Sequence, residues 1–261
     1  MRYIDIDNIN FIPGRRLERS DTFSFHCHKD IACFNKCCRN LNLFLYPYDI
    51  VRLKKCLNIT SDEFIDKFVD VVSREQHFFP VVLLKMSDKK EAECNFLSES
   101  GCSVYLDRPY VCRMFPIVQG TFYDAQAGID KSLYFFNPPP FCLGKSEIKE
   151  WTPDLWIKDQ DADFYTKMAG EFEELQRLFQ SDPWGAEGIG GQKAKMAFMA
   201  SYNIDKFRDF LFNSSFLKRY KIKSDVLKKI KTDDVSLLKL GFEWIKYYLW
   251  SIKSLNIKMR S

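Results

Sequence analysis

Residues 94–116 read CNFLSESGCSVYLDRPYVCRMFP, and the placement of turn residues and cysteines in this stretch decides how the chain is expected to fold. Gly101-Cys102-Ser103 marks a tight turn that presents a thiol. Phe96, Leu97, Val104 and Tyr105 would wall that thiol from water, although such residues are also ordinary core and carry no chemical role of their own. Asp107 is expected to be an N-cap, and Pro109 falls in a first helical turn, where a missing NH costs nothing. Cys112 would then lie in the first turn of a short helix that Pro116 ends. There, backbone NH groups and the adjacent Arg113 favour a thiolate. Thiols delivered by turns and single helical turns describe a small irregular core built around metal.

The rest of the chain extends that pattern. All nine cysteines lie between Cys27 and Cys142, and the remaining 119 residues hold none. Cys27, Cys33, Cys37 and Cys38 form one group, Cys94, Cys102 and Cys112 a second, and Cys142 stands apart. The N-terminus shows no apolar run of leader length, and no stretch approaches the roughly 20 apolar residues of a membrane span. A cytoplasmic location is therefore expected, where thiols stay reduced and clusters of them serve metals or redox chemistry rather than disulfides. Both tetrahedral zinc and a cubane iron–sulfur cluster ask for about four cysteines. Eight thiols thus allow two four-thiolate sites, or one site with spare thiols. Neighbouring side chains diverge, so Cys37 and Cys38 either serve different sites or one of them stands behind the ligands. The expected metal residues are Cys27, Cys33, Cys37, Cys38, Cys94, Cys102, Cys112 and Cys142. Cys56, on a short helix near its apolar side, is expected to be a buried inert thiol. His26 and His28 flank Cys27 and can act as ligands, but against a full thiolate count they read as supporting or solvent histidines.

With 261 residues, 46% of them hydrophobic, the chain can bury a substantial core. Two parts are expected, a cysteine-cluster domain over 1–150 and a helical accessory region over 151–261. The fold class is α+β, mostly helical, with short strands in the first part. Pro47 and Asp49 open a helix through Ile50, Leu53 and Leu57. Thr60 and Glu63 have capping-box spacing ahead of an apolar stripe at Phe64, Ile65, Phe68 and Val72. Val81–Met86 reads as a strand bounded by Pro80 and the polar turn Ser87-Asp88-Lys89-Lys90, and short strands after Gly120 are weakly signalled. Beyond residue 163 mostly helix is expected, with one stripe at Phe164, Met168, Phe172, Leu175 and Phe179. A second opens at Thr232-Asp233-Asp234 and runs through Leu238, Phe242, Ile245, Leu249 and Ile252. Gly185, Gly188, Gly190 and Gly191 follow a helix rather than a strand, so they read as a flexible connection and not a nucleotide loop. Residues 215–261 carry twelve basic and four acidic side chains. The lysines alternate with apolar residues, as on the solvated face of amphipathic helices, so nucleic acid is not the expected partner.

The run Cys94-Asn95-Phe96-Leu97, Gly101-Cys102-Ser103-Val104-Tyr105, Arg108-Pro109 and Cys112-Arg113-Met114-Phe115-Pro116 resembles the second half of the YkgJ-type cysteine-cluster family, described in general terms as a zinc- or iron-chelating domain. Cys37-Cys38 followed by the Pro47 and Asp49 helix is similar to its first half. The resemblance spans about residues 23–145, and the opening Cys27-x5-Cys33-x3-Cys37 is spaced more widely than in the family. Iron–sulfur chemistry, most simply a 4Fe-4S cluster, is favoured over zinc by the resemblance and by the lack of compact Cys-x2-Cys pairs. A redox partner or a protein substrate follows as the expected partner. The same domain occurs in flagellin lysine-N-methylases, so the resemblance implies S-adenosylmethionine and protein methylation as an alternative. No glycine-rich methyltransferase loop stands behind a strand here. A third reading is a structural zinc module that presents basic helices to a partner.

Overall fold

A computed structural model of the protein describes residues 2–3, 12–73, 78–88, 91–124 and 129–260. Lys89 and Lys90 of the expected turn, and most of the N-terminal stretch read for a leader, lie outside the described residues. The fold is α+β and mostly helical, with short strands in the N-terminal half and helices in the C-terminal half. Among the described residues no helix is long and apolar enough to cross a membrane. The chain divides into two compact units, Met1–Leu43 with Met86–Glu173, and Phe44–Lys85 with Glu174–Ser261. Residues 44–85 go with the C-terminal helices, and 151–173 with the cysteine-bearing segments.

In the first unit Ile117–Asp124 and Ile129–Phe136 form an antiparallel hairpin. Arg2–Tyr3 extends it in parallel on one edge and Arg15–Leu17 in antiparallel on the other. Phe122, Leu133 and Phe135 are buried together with Ile12 packed against them. A second apolar cluster gathers around Trp156, whose ring meets Phe23, Phe25 and Trp151 at centroid distances of 6.0, 5.5 and 5.1 Å. It pins the antiparallel pair Phe23–Ser24 and Glu150–Trp151 to the helix Pro153–Asp159.

The second unit shows local signals working as written. The Thr60 hydroxyl accepts the Glu63 NH at 3.2 Å while the Glu63 carboxylate accepts the Thr60 NH at 2.9 Å, opening the helix Ser61–Phe68. Asp233 caps Asp234–Trp250 by accepting the Ser236 NH at 3.0 Å. Helix ends depart from the apolar stripes. Val72 belongs to the strand Val69–Val72, paired antiparallel with Val81–Leu84, because the β-branched run prefers extended backbone. Ile252 lies past the left-handed Ser251 that stops the last helix, and it is exposed, as is Phe164 on the earlier stripe. The glycine stretch, expected as a connection, forms the 3-10 segment Gly185–Gly190 broken at Gly188, where φ is 60°. The C-terminal region also contains the strand pair Tyr220–Ile222 and Ile257–Met259.

Gly241 on Asp234–Trp250 meets the helix Gln192–Ser201 at its Ala200 carbonyl, and a Cβ there would stand 2.2 Å from that oxygen. Backbone cannot yield as a flexible side chain can. Gly241→Ala is therefore expected to destabilise the protein by about 2 kcal/mol despite alanine's better helix propensity, read as a lowered urea midpoint.

Polar bonds explain why 44–85 joins the C-terminal helices. Ser61 NH donates to Asp205 at 2.7 Å, Ser61 Oγ to Asn203 at 2.9 Å, and the Asp205 NH to Ser61 Oγ at 3.0 Å. The buried Lys54 ammonium reaches Asp205 at 3.0 Å and Asp234 at 2.8 Å, and Arg208 pairs with both acids. Burial pushes the Asp205 carboxyl up, but the Ser61 NH and Lys54 outweigh it and hold its pKa below the ordinary carboxylate value. A depressed acid stabilises the fold above its unfolded pKa, and that contribution is lost as pH falls through the folded one. Asp205→Asn should accordingly flatten the acid-side loss of stability in urea titrations between about pH 5 and pH 3. An unchanged slope would show that other acids dominate it.

Candidate metal centre

The first unit contains eight of the nine cysteines, and Cys56 alone belongs to the second. None of the nine is in a disulfide. Cys56 is exposed on the helix Pro47–Leu57, not buried as its stripe implied, because the last turn of that helix turns its flank outward.

Three stretches of backbone deliver the eight thiols. After the strand Phe23–Ser24, residues 28–38 fold as consecutive turns, with the Phe34 NH on the Ile31 carbonyl, the Lys36 NH on that of Cys33 and the Cys38 NH on that of Asn35. Asn35, left-handed at φ 65°, opens the 3-10 turn Lys36–Cys38 that carries the paired cysteines. The Cys38 carbonyl accepts the Cys94 NH at 2.8 Å, which brings the second stretch alongside the first. Leu97–Ser98 and Gly101–Cys102 then pair as a minimal hairpin whose turn needs Gly101 at φ 120°. Tyr110–Met114 follows with Cys112 in its middle. The third stretch is Cys142 and the 3-10 turn Leu143–Ser146. Gly144 accepts the His26 NH at 3.0 Å, and a Cβ on it would stand 2.9 Å from the Phe25 ring and 3.0 Å from the His26 carbonyl. Only glycine allows that approach, a role the sequence reading missed although Cys142-Leu143-Gly144 adjoins a cysteine.

The thiols' mutual electrostatics link Cys27 with Cys37, Cys33 and Cys142, and Cys38 with Cys37, Cys112 and Cys94. Cys27 is exposed as a residue, yet its thiol is partly covered. That burial, with the neighbouring charges of Cys37, Cys33 and Cys142, pushes its pKa up to about 11. Burial raises Cys142 too, with Cys33 and Cys37 adding to it and the NH groups of Gly144 and Lys145 opposing. In the other set Cys38 faces Cys112 and Cys94, and Cys94 faces Cys102. Burial raises both Cys94 and Cys102, opposed by the NH groups of Phe96 and Val104 respectively. The sets adjoin at Cys37 and Cys38. The Cys38 thiol donates to Cys37 and lowers it to about 7 against burial, helped by its own NH and Arg39, while Cys38 is itself raised.

One expectation around Cys112 needs correction. The N-cap position is Pro109, and Asp107 ends the preceding 3-10 turn Tyr105–Asp107. Arg113 bonds to backbone and lies against an aromatic ring. It is buried, donating to the carbonyls of Gln160 and Leu106 at 2.6 Å and lying over the Tyr165 ring at 4.3 Å. Arg108 is the cation that acts on Cys102 and Cys112. It donates to the Tyr105 carbonyl and to Gln160, with its guanidinium 4.0 Å from the Tyr105 ring centroid. Phe96 and Val104 are buried as expected of a wall, whereas Tyr105 is exposed.

Crowded thiols that hold one another's pKa up, with NH groups already aimed at sulfur, form a donor set suited to a cation. A metal ion removes the mutual repulsion, and the NH···S bonds stabilise the resulting thiolates. Leu143 NH, 3.2 Å from Cys33 Sγ, is one such bond.

No curated protein and no solved structure matches the chain. Residues 26–142, which hold all eight thiols, match the family model CxxCxxCC, described as "Putative zinc- or iron-chelating domain".

Proposed function

We propose that the protein binds metal in two four-thiolate centres, Cys27, Cys33, Cys37 and Cys142 holding one and Cys38, Cys94, Cys102 and Cys112 the other. The observation that carries this reading is the division of the thiols between Cys37 and Cys38. Cys37 acts on Cys27 and Cys142 while Cys112 and Cys94 act on Cys38, and the Cys37 and Cys38 thiols are hydrogen-bonded to each other where the sets adjoin. The domain's description allows zinc or iron. Iron–sulfur clusters, of the 4Fe-4S type, are the favoured occupants, since the spacing lacks the compact Cys-x2-Cys pairs of zinc ribbons and several sulfurs accept backbone NH groups, a feature that tunes cluster potential. Bound there, a cluster would supply one-electron chemistry. The chain's own contribution is to fix the sulfurs, cover them with Phe96 and Val104, and place Arg108 beside Cys102 and Cys112 to offset negative charge.

Iron and acid-labile sulfide content, with an absorption spectrum of protein purified without oxygen, tests the choice. Iron with equivalent sulfide and a broad band near about 400 nm is the expected result. Zinc without sulfide would replace clusters by two tetrahedral ions, and protein that takes up neither metal would overturn the reading altogether.

A further inference from the structure

The segment that carries Cys27 offers a different donor set on its other side. Phe25 NH donates to the Lys149 carbonyl at 2.8 Å and His26 NH to that of Gly144 at 3.0 Å, so the chain from Phe23 to His26 runs extended beside 144–151. Alternate residues of extended backbone point to opposite faces. Cys27 turns toward Cys33, Cys37 and Cys142, whereas His26 and His28 lie together with ring centroids 5.0 Å apart. Glu147 reaches them from the end of the 3-10 turn Leu143–Ser146. Its Oε1 is 4.0 Å from His28 Nε2, and each of the three residues offers a ligand atom within 4.8 Å of the other two.

These separations are too long for hydrogen bonds. They approach the span of two ligands on one ion, since donors bound at about 2.0–2.2 Å stand roughly 3.3–4.2 Å apart as the angle between them opens. The opposite nitrogen of His28, Nδ1, lies 3.9 Å from Asp30 Oδ2. A carboxylate in that position orients a metal-bound imidazole and raises its basicity. Glycine at 144 is what lets the two segments come this close, because any side chain there would collide with Phe25 and the His26 carbonyl.

We propose that His26, His28 and Glu147 form a separate site for one divalent transition-metal ion of the zinc or ferrous class. Two imidazoles and one carboxylate suit ions of that borderline character. His26 is exposed and the other two are partly covered, so the protein would occupy one side of the ion and leave coordination positions open to solvent. Open positions distinguish a site that can polarise a ligand from a closed structural one. The site stands independently of what fills the thiol sets.

Full-length protein carrying its resident metal, titrated with zinc chloride and followed by calorimetry and dialysis, tests this. Wild type should take up one further equivalent. His28→Ala and Glu147→Gln should each weaken that uptake by about tenfold or more, and Asp30→Asn by less, with resident metal content and circular dichroism unchanged. The proposal is overturned if wild type takes up no further zinc, or if His28→Ala and Glu147→Gln bind it as wild type does. It is equally overturned if His28→Ala sheds resident metal, because His28 would then belong to the thiol centre.

Discussion

Cys33→Ser and Cys112→Ser should each remove one metal centre and spare the other, leaving about half of the wild-type metal. Serine is nearly isosteric with cysteine, but its hydroxyl is a hard and weakly acidic donor, a poor substitute for thiolate on zinc or iron. Cys33 is buried among Cys27, Cys37 and Cys142, while Cys112 faces Cys38. The two variants therefore act on sets that adjoin where the Cys38 thiol meets Cys37. Combining them should empty the protein, and the losses should add, as expected of independent sites. Cys102→Ser should match Cys112→Ser. Cys56→Ser should retain all metal, since Cys56 belongs to the other unit. Metal analysis of the purified variants reads all of these, and equal loss in Cys33→Ser, Cys112→Ser and their combination would merge the two centres into one.

Removing the metal should unfold the first unit's cysteine-bearing segments and leave the second unit's helices formed. Residues 28–38 and 94–116 are held mainly by single turns and two-residue strands. Their buried apolar side chains are few beside those of the second unit, where Trp244 alone packs against Phe207, Phe210, Phe216 and Tyr248. Backbone ordering costs roughly 1–2 kcal/mol per residue, so segments of this kind depend on the free energy of metal binding, about 10–16 kcal/mol for a structural zinc site. Chelation should abolish hydrogen-exchange protection in 28–38 and 94–116 and preserve it in Asp234–Trp250. Retained protection in the first two segments would mean that the fold stands without metal.

Much of this was legible because caps and turns are local. Thr60 and Asp233 announce helix starts through side chains within three residues of the groups they satisfy, and Pro47 through its fixed φ and missing NH. Helix ends were less legible, as Val72 and Ile252 show: an apolar spacing continues whether or not the backbone does. The composition of the units lay further from reach, since Ser61 and Asp205 bond across 144 positions. In the candidate site, the grouping of the cysteines ahead of residue 143 could be read directly. The place of Cys142 beside Cys33 could not, because it depends on a strand pairing between distant segments. A neighbour in sequence on a helix is turned about 100° away, and Arg113 points inward to the Leu106 and Gln160 carbonyls while Arg108, ahead of the helix, acts on the thiols.

Native mass spectrometry of anaerobically purified wild type beside Cys112→Ser counts the centres directly. Two metal centres per chain in wild type and one in the variant are expected. A single centre in wild type, lost completely in Cys112→Ser, would contradict the division of the eight thiols into two sets of four.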